Sequence, residues 1–182
     1  MSERPSYRYH PDPEATGAFE ERTHRCRCCG EVATWCYTVV PYAAENLRDA
    51  LCPDCIGQGT AAARFDARYS VVEADDVPDG VPESVVEVLT TRTPGFSGWE
   101  RERWLFHCDD AAAFLGPCGW EELLVHPDVV ATLIDAARAE GLDPDDATAF
   151  VGSLDVDGAA TAYLFRCLHC GIHLAYADAD PD

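Results

Sequence analysis

The chain has 182 residues, 47% of them hydrophobic, with 33 acidic side chains against 13 basic ones and a formal net charge of −20. That length holds one sizeable core, or a core plus a small metal module, and no apolar run reaches the ~20 residues that a bilayer span needs. Every basic residue is arginine, and a surface this acidic repels phosphate backbones on balance, so nucleic acid is disfavoured as a partner and a cytoplasmic protein that meets other proteins is expected.

The start Met1-Ser2-Glu3-Arg4 does not read as a secretory leader, and the ten cysteines are therefore expected in a reducing compartment. Tyr7-Arg8-Tyr9-His10-Pro11-Asp12-Pro13 reads as an extended arm, because each proline pushes its predecessor out of the helical region. The pairs Cys26/Cys29 and Cys52/Cys55 follow, each a Cys-x-x-Cys turn that lets two sulfurs converge. Two such turns offer the tetrahedral thiolate cage that zinc prefers. Gly30 ends the first turn and permits the backbone reversal that points amides at the sulfurs. Trp35 to Val40 has the aromatic and β-branched content of a strand, and Ile56 to Arg68 is alanine-rich with Phe65 and Tyr69 at helical spacing. The stretch 20–70 is therefore expected to be a zinc-ribbon or treble-clef-like unit.

A disulfide framework and redox-active dithiols are the competing readings of these pairs. Cys28 and Cys36 are surplus to the cage. Cys28 could replace Cys26 or Cys29, although the Cys26/Cys29 register keeps the two-residue gap; otherwise both are packing residues. Arg22, His24, Arg25 and Arg27 crowd the first turn and are expected to neutralise a thiolate cage rather than to bind phosphate.

Farther along, residues 71–82 form an acidic loop and Pro82 to Arg92 a short helix using Val85, Val86 and Leu89. Thr93-Pro94-Gly95 turns the chain toward Trp99 and Trp104. Asp109-Asp110 reads as an N-cap for a short helix over Ala111 to Leu115, closed by Gly116-Pro117. Longer helices are expected over Pro127 to Glu140 and Pro144 to Leu154. Asp155-Val156-Asp157-Gly158 then feeds a final hairpin, in which strands around Tyr163 to Arg166 and Ile172 to Tyr176 flank the knuckle Cys167-Leu168-His169-Cys170-Gly171. For a second metal site Cys108 joins Cys167 and Cys170, with His107, His173 or Cys118 competing for the fourth position.

The economical architecture is one α+β domain over 1–182. It combines an N-terminal zinc-ribbon-like hairpin unit, a helical part over 82–182 and a C-terminal β-hairpin carrying the Cys-x-x-Cys-Gly knuckle. One zinc ion is expected at the first site, and a second where Cys108, Cys167 and Cys170 meet.

These segments together resemble the CbrC family of bacterial proteins. The likeness is carried by Tyr9-His10-Pro11-Asp12-Pro13, Gly17 and Phe19, by Cys26 to Gly30, and by Leu51 to Ile56 with Gly59, Ala61 and Ala62. It continues through Arg92-Thr93-Pro94-Gly95-Phe96, Trp99, Trp104, His107-Cys108, Tyr163 to Cys167, Cys170-Gly171 and Asp178. Asp54 stands where such proteins usually carry tryptophan, and Cys118 is a departure that ranks it below His107 and His173 as a ligand. The resemblance implies zinc binding and lends no catalytic residue.

Three functions are weighed. The first is a non-enzymatic zinc-binding protein with an interaction surface at Tyr9, His10, Asp12, Pro94 and Trp99. The second is a metal-dependent hydrolase with an open zinc position near Cys108, His107 and His10, assisted by Asp12 or Asp109. The third is a thiol redox or metal sensor using Cys167 and Cys170, with Arg166 favouring thiolate. The chain has no His-Glu-x-x-His, nucleophile elbow or phosphate loop, which leans the reading away from an enzyme.

Overall fold

The computed structural model describes residues 5–99 and 102–179. Met1 to Arg4, on which the reading of no leader rests, lie outside the described residues, as do 100 and 101 beside Trp99.

Strand β1 (Phe19–Arg25) pairs antiparallel with β2 (Val32–Tyr37), in a register from Phe19↔Tyr37 to Arg25↔Val32 that slips between Glu21 and His24. The strand expected at Trp35 to Val40 therefore begins three residues earlier and stops at Tyr37. The backbone N–H of Tyr37 leaves the hairpin to bond the Leu51 carbonyl at 3.0 Å.

Helix α1 (Pro53–Gly57) opens on proline at its first position, where no N–H is needed. The continuous helix expected over Ile56 to Arg68 breaks at Gly59, whose φ of +72° is left-handed, and α2 (Thr60–Phe65) starts afresh. Leu47, Leu51 and Ile56, with Phe19, Tyr37 and Tyr69, close a core around these pieces, and four cysteines lie in it.

Helix α3 (Glu83–Arg92) buries Leu89 and delivers the chain into the Thr93 to Gly95 turn. A Cβ at Gly95 would stand 2.0 Å from the Tyr69 carbonyl oxygen, so only glycine fits, and its N–H donates to the Tyr37 hydroxyl at 3.0 Å. This contact joins the N-terminal unit to the rest.

The helix expected over Ala111 to Leu115 is not formed; the segment is extended. Strands β3 (Phe106–His107) and β4 (Asp110–Ala111) make a tight hairpin, and β5 (Ala113–Cys118) becomes the edge of an antiparallel sheet with β6 (Ala160–Arg166) and β7 (His173–Ala179). Tertiary packing overrides the alanine propensity. Phe114 pairs with Phe165 across the sheet and stacks on Phe96 at 3.9 Å between ring centroids, which an isolated helix could not offer.

Alternation along β6 divides two cores. Tyr163 and Phe165 face an aromatic cluster with Phe96, Trp104, Phe114 and Tyr176, while Ala162 and Leu164 face the helices. Those helices are α4 (Trp120–Leu123), α5 (Pro127–Ala139) and α6 (Pro144–Gly152). Helix α5 turns Val129, Leu133 and Ala137 inward at four-residue spacing, and Asp143 caps α6 by accepting from the N–H groups of Asp145 and Asp146 at 3.0 and 2.9 Å. The mixed α and β architecture, with cysteine clusters near both ends, follows the sequence reading.

Candidate metal centres

Two knuckles of the same construction hold two of the three Cys-x-x-Cys pairs, Cys26/Cys29 and Cys167/Cys170. In the first, Gly30 N–H donates to the Cys26 carbonyl at 2.8 Å and Cys26 N–H to the Glu31 carbonyl at 2.8 Å. In the second, Gly171 N–H donates to the Cys167 carbonyl at 3.1 Å and Cys167 N–H to the Ile172 carbonyl at 2.9 Å. Both end in a left-handed glycine, with φ of +79° at Gly30 and +76° at Gly171. This closes the backbone into a cradle whose amides point at sulfur.

The first cluster brings together the sulfurs of Cys26, Cys29, Cys52 and Cys55, all within 4.8 Å of one another. Cys52 and Cys55 come from the first turn of α1, so the second pair sits on a helix start, the treble-clef arrangement, rather than on a facing hairpin. Two sulfurs ~2.3 Å from one tetrahedral ion stand roughly 3.8 Å apart. Cys26 Sγ and Cys55 Sγ are 3.8 Å apart. Cys26, Cys52 and Cys55 are buried and Cys29 is exposed; Cys52 N–H donates to Cys26 Sγ at 3.4 Å.

Their proton balance fits a cation. The thiol of Cys52 and the surrounding amides draw the Cys26 thiol down to about 4, whereas Cys52 is pushed well above the thiol range, first by that same bond and then by burial. Burial, first of all, raises Cys55 to about 12. These shifts favour charge on Cys26 and protons on Cys52 and Cys55, and a divalent ion would favour the thiolate at each of them.

The second cluster gathers His107, Cys108, Cys167 and Cys170 within the same 4.8 Å. His107 Nδ1 lies 3.1 Å from Cys108 Sγ and 3.4 Å from Cys170 Sγ. Cys108 and Asp109 form the two-residue turn between β3 and β4, and both are left-handed, at φ +54° and +56°, without being glycine. Burial works against the Cys167 thiolate, yet the N–H groups of Cys170 and His169, 3.5 and 3.4 Å from its sulfur, bring it down to about 6. Cys108 and Cys170 are exposed. Three sulfurs and an imidazole suit zinc in a four-coordinate site.

The other candidates lie elsewhere. The His173 ring packs on His126 with centroids 4.2 Å apart, outside the cluster, so of the two competing imidazoles it is His107 that joins the sulfurs. Cys118 is buried among the α4 to α6 contacts, and Cys28 and Cys36 are buried as packing residues. The arginines do not serve the cage as expected. Arg22 bonds Glu20, Asp49 and Cys36 Sγ; Arg25 bonds the Gly30 carbonyl; Arg27 bonds Glu45 and the Asn46 carbonyl. They brace the knuckle's outside.

The expected interaction surface is largely interior. Tyr9 and His10 are 3% and 0% exposed, and Pro94 is buried with them; only Asp12 and Trp99 of that set are exposed. The arm is a strap that packs inward because its polar ends find partners there. Tyr7 hydroxyl donates to the Pro53 carbonyl at 2.8 Å beside the first cluster. Tyr9 hydroxyl and Arg8 Nη2 donate to Asp110 at 2.8 and 2.6 Å beside the second. Asp110 also meets His169 Nε2 at 2.9 Å, and these partners outweigh its burial to hold the carboxyl below its ordinary value. Sequence reasoning took Asp110 for a helix cap and missed this junction; its only local signal is its place two residues after Cys108.

The model of an uncharacterised protein family, UPF0167, matches residues 4–179. UPF0167 proteins of Mycobacterium bovis and Mycobacterium tuberculosis are each 49% identical over 174 residues, covering 96% of this chain and 92% of theirs. One from Pseudomonas aeruginosa is 38% identical over 180 residues, covering 92% of both. No solved structure matches. The chain belongs to the UPF0167 family.

Proposed function

We propose that this UPF0167 protein is a non-enzymatic zinc protein that carries two structural ions and acts by contact with another protein in the cytoplasm. The observation that carries the metal reading is the pair of four-donor clusters, each closing on a knuckle of the same construction. Zinc is the ion chosen because thiolate-rich tetrahedral cages select it in a reducing compartment, and all ten cysteines are free thiols in this structure. The closer identification with CbrC proteins, made from the sequence, is part of this proposal.

A hydrolase needs a zinc vertex open to water. Four protein donors at each cluster argue against that vertex, and His10 and Asp12 belong to the strap rather than to either cluster. Protein contact is favoured by the acidic surface, which suits a basic partner protein better than nucleic acid. No helix among the described residues is long and apolar enough to cross a membrane.

The test is metal content of natively purified protein, joined to X-ray absorption. Two zinc ions per chain, with an average shell of sulfur plus a minor nitrogen contribution, are expected. Less than one ion per chain in folded protein overturns the proposal. A sensor role for the second cluster is the reading that the exposure of Cys108 and Cys170 favours. It requires those thiols to react with a maleimide at a rate that metal occupancy controls.

A further inference from the structure

Away from both cysteine clusters, where the β1/β2 unit meets the aromatic core, a cleft of about 290 Å³ is lined by Thr16, Gly17, Thr38, Ser97, Phe96 and Phe114 among others. Its size falls just short of the roughly 300–1,000 Å³ of drug-sized pockets, which suits a smaller ligand. Beneath it, His10 and Pro94 meet.

Hydrogen-bond accounting decides what the cleft can hold. The Pro94 carbonyl can only accept, so His10 Nδ1, 2.8 Å away, carries the ring proton. The ring is fully buried, and burial, partly offset by the Pro94 bond and the charge of Asp12, lowers it to about 4; it is neutral and Nε2 is an acceptor. Thr16 Oγ1, 2.6 Å from Nε2, therefore points its one proton inward. Thr38 Oγ1 likewise gives its proton to the Gly17 carbonyl at 2.6 Å. A threonine hydroxyl can ordinarily donate or accept; these two retain only lone pairs. An anion entering the cleft would face those lone pairs in a chain of net charge −20, with the Ser97 hydroxyl the one side-chain group of the lining still able to donate to it. An N–H-bearing cation would find acceptors on the rim, and its stem would meet the half-buried Val39 and Pro117 that line the same cleft.

We propose that this cleft binds a small organic cation, an ammonium or guanidinium group on a short apolar stem, with Thr16 Oγ1 and Thr38 Oγ1 accepting its N–H protons and the half-buried Val39 and Pro117 packing its stem. The buried His10 is a positioning residue that fixes the direction of the Thr16 hydroxyl. The site is independent of the zinc reading.

Benzylammonium and phenylguanidinium are titrated into the zinc-checked full chain and followed by amide chemical shifts. Benzoate and benzyl alcohol serve as charge and polarity controls. A Gly-Arg-Gly peptide is run in parallel, so that binding by the peptide alone assigns the cation to a partner's side chain and binding by the free amine assigns it to a metabolite. Saturable shifts centred on Gly17, Thr38 and Ser97 are expected for the cations and not for the controls. Thr38→Val, which keeps shape and loses the acceptor, should weaken binding about tenfold, as for one hydrogen bond to a charged group. Thr38→Ser should restore it. Equal binding of benzoate or benzyl alcohol, no saturable shift with any cation, or unchanged affinity in a folded Thr38→Val variant overturns the proposal.

Discussion

The two cysteine clusters share one half and differ in the other. Each owns a knuckle closed by a left-handed glycine. The first completes its donor set from the start of α1, set in a core of Leu51, Ile56 and Tyr69, whereas the second completes its set from His107 at the end of β3 and Cys108, the first residue of the two-residue turn that follows. A knuckle alone does not decide what a metal does for a fold; the partner half decides. Where that half is a helix start embedded in apolar side chains, an ion would replace part of a core that a segment of this size builds poorly. Where it is the end of a short hairpin with the exposed sulfur of Cys108, an ion would pin one loop to another.

The sharpest way to break the contrast is to remove one ligand from each side. Structural zinc in small modules contributes about 10–16 kcal/mol, comparable to or above the ~5–15 kcal/mol by which whole domains are stable. Cys52→Ser is therefore expected to lose the first ion and the cooperative folding of the N-terminal unit. Cys108→Ser should lose one zinc of two and keep a single cooperative transition with unchanged far-ultraviolet dichroism. Native mass spectrometry for metal and thermal denaturation for the fold check both. Equal loss of structure in the two variants would erase the distinction between the centres.

The same asymmetry explains what could be read from the sequence. The ligand turns were legible because their chemistry is local: two sulfurs and a glycine within five residues set the cradle. Helices α3, α5 and α6 were legible from apolar spacing and from proline at or near their starts. Ala111 to Leu115 misled because its identity as a strand is decided by Phe165 and Arg166, more than fifty residues away. The strap misled for the opposite reason. Tyr9, His10 and Asp12 look like surface chemistry in a proline-rich arm, but a tyrosine hydroxyl and an imidazole can be buried once their partners, Asp110 and the Pro94 carbonyl, are placed by distant segments. Of the candidates for the fourth position beside Cys108, His107 and His173 are separated by nothing local, since each stands at the end of a strand.

The contrast is sharpened by what holds the strap independently of either ion. His10 is neutral in the fold, held down to about 4 by burial against an ordinary value of 6.5, with the Pro94 bond and the charge of Asp12 only partly offsetting that. The unfolded chain binds the extra proton first. Stability from this residue is therefore fully present above pH 6.5 and is lost as pH falls from there through about 4. The loss amounts to about 3 kcal/mol at most by the linkage relation. Urea unfolding of the wild type at pH 7 and pH 5, set against His10→Gln, isolates this component from thiolate protonation, which both proteins share. An identical pH slope in the two would remove His10 from the account.

The smallest effect is expected at Asp110, which links the strap to the second cluster alone. Its carboxylate accepts from Tyr9, Arg8 and His169, and its side chain is 6% exposed while that of Arg8 is 58% exposed. The Arg8 pair is thus largely solvent-screened and contributes little. The bond from Tyr9 lies deeper, whereas His169, with its side chain 51% exposed, is screened much as Arg8 is. Asp110→Asn keeps the shape, surrenders the charge, and turns an NH₂ group toward one of its donors, so about 1–3 kcal/mol of destabilisation is expected. Amide hydrogen exchange should quicken at Arg8 and Tyr9 and around His107 and Cys108, and zinc should leave the second centre faster under a chelator. The Cys26 and Cys52 amides should keep their protection, because the Tyr7 bond to Pro53 is untouched. Loosening at both clusters together would mean that the strap transmits between the ions, and the two centres would then be one cooperative unit.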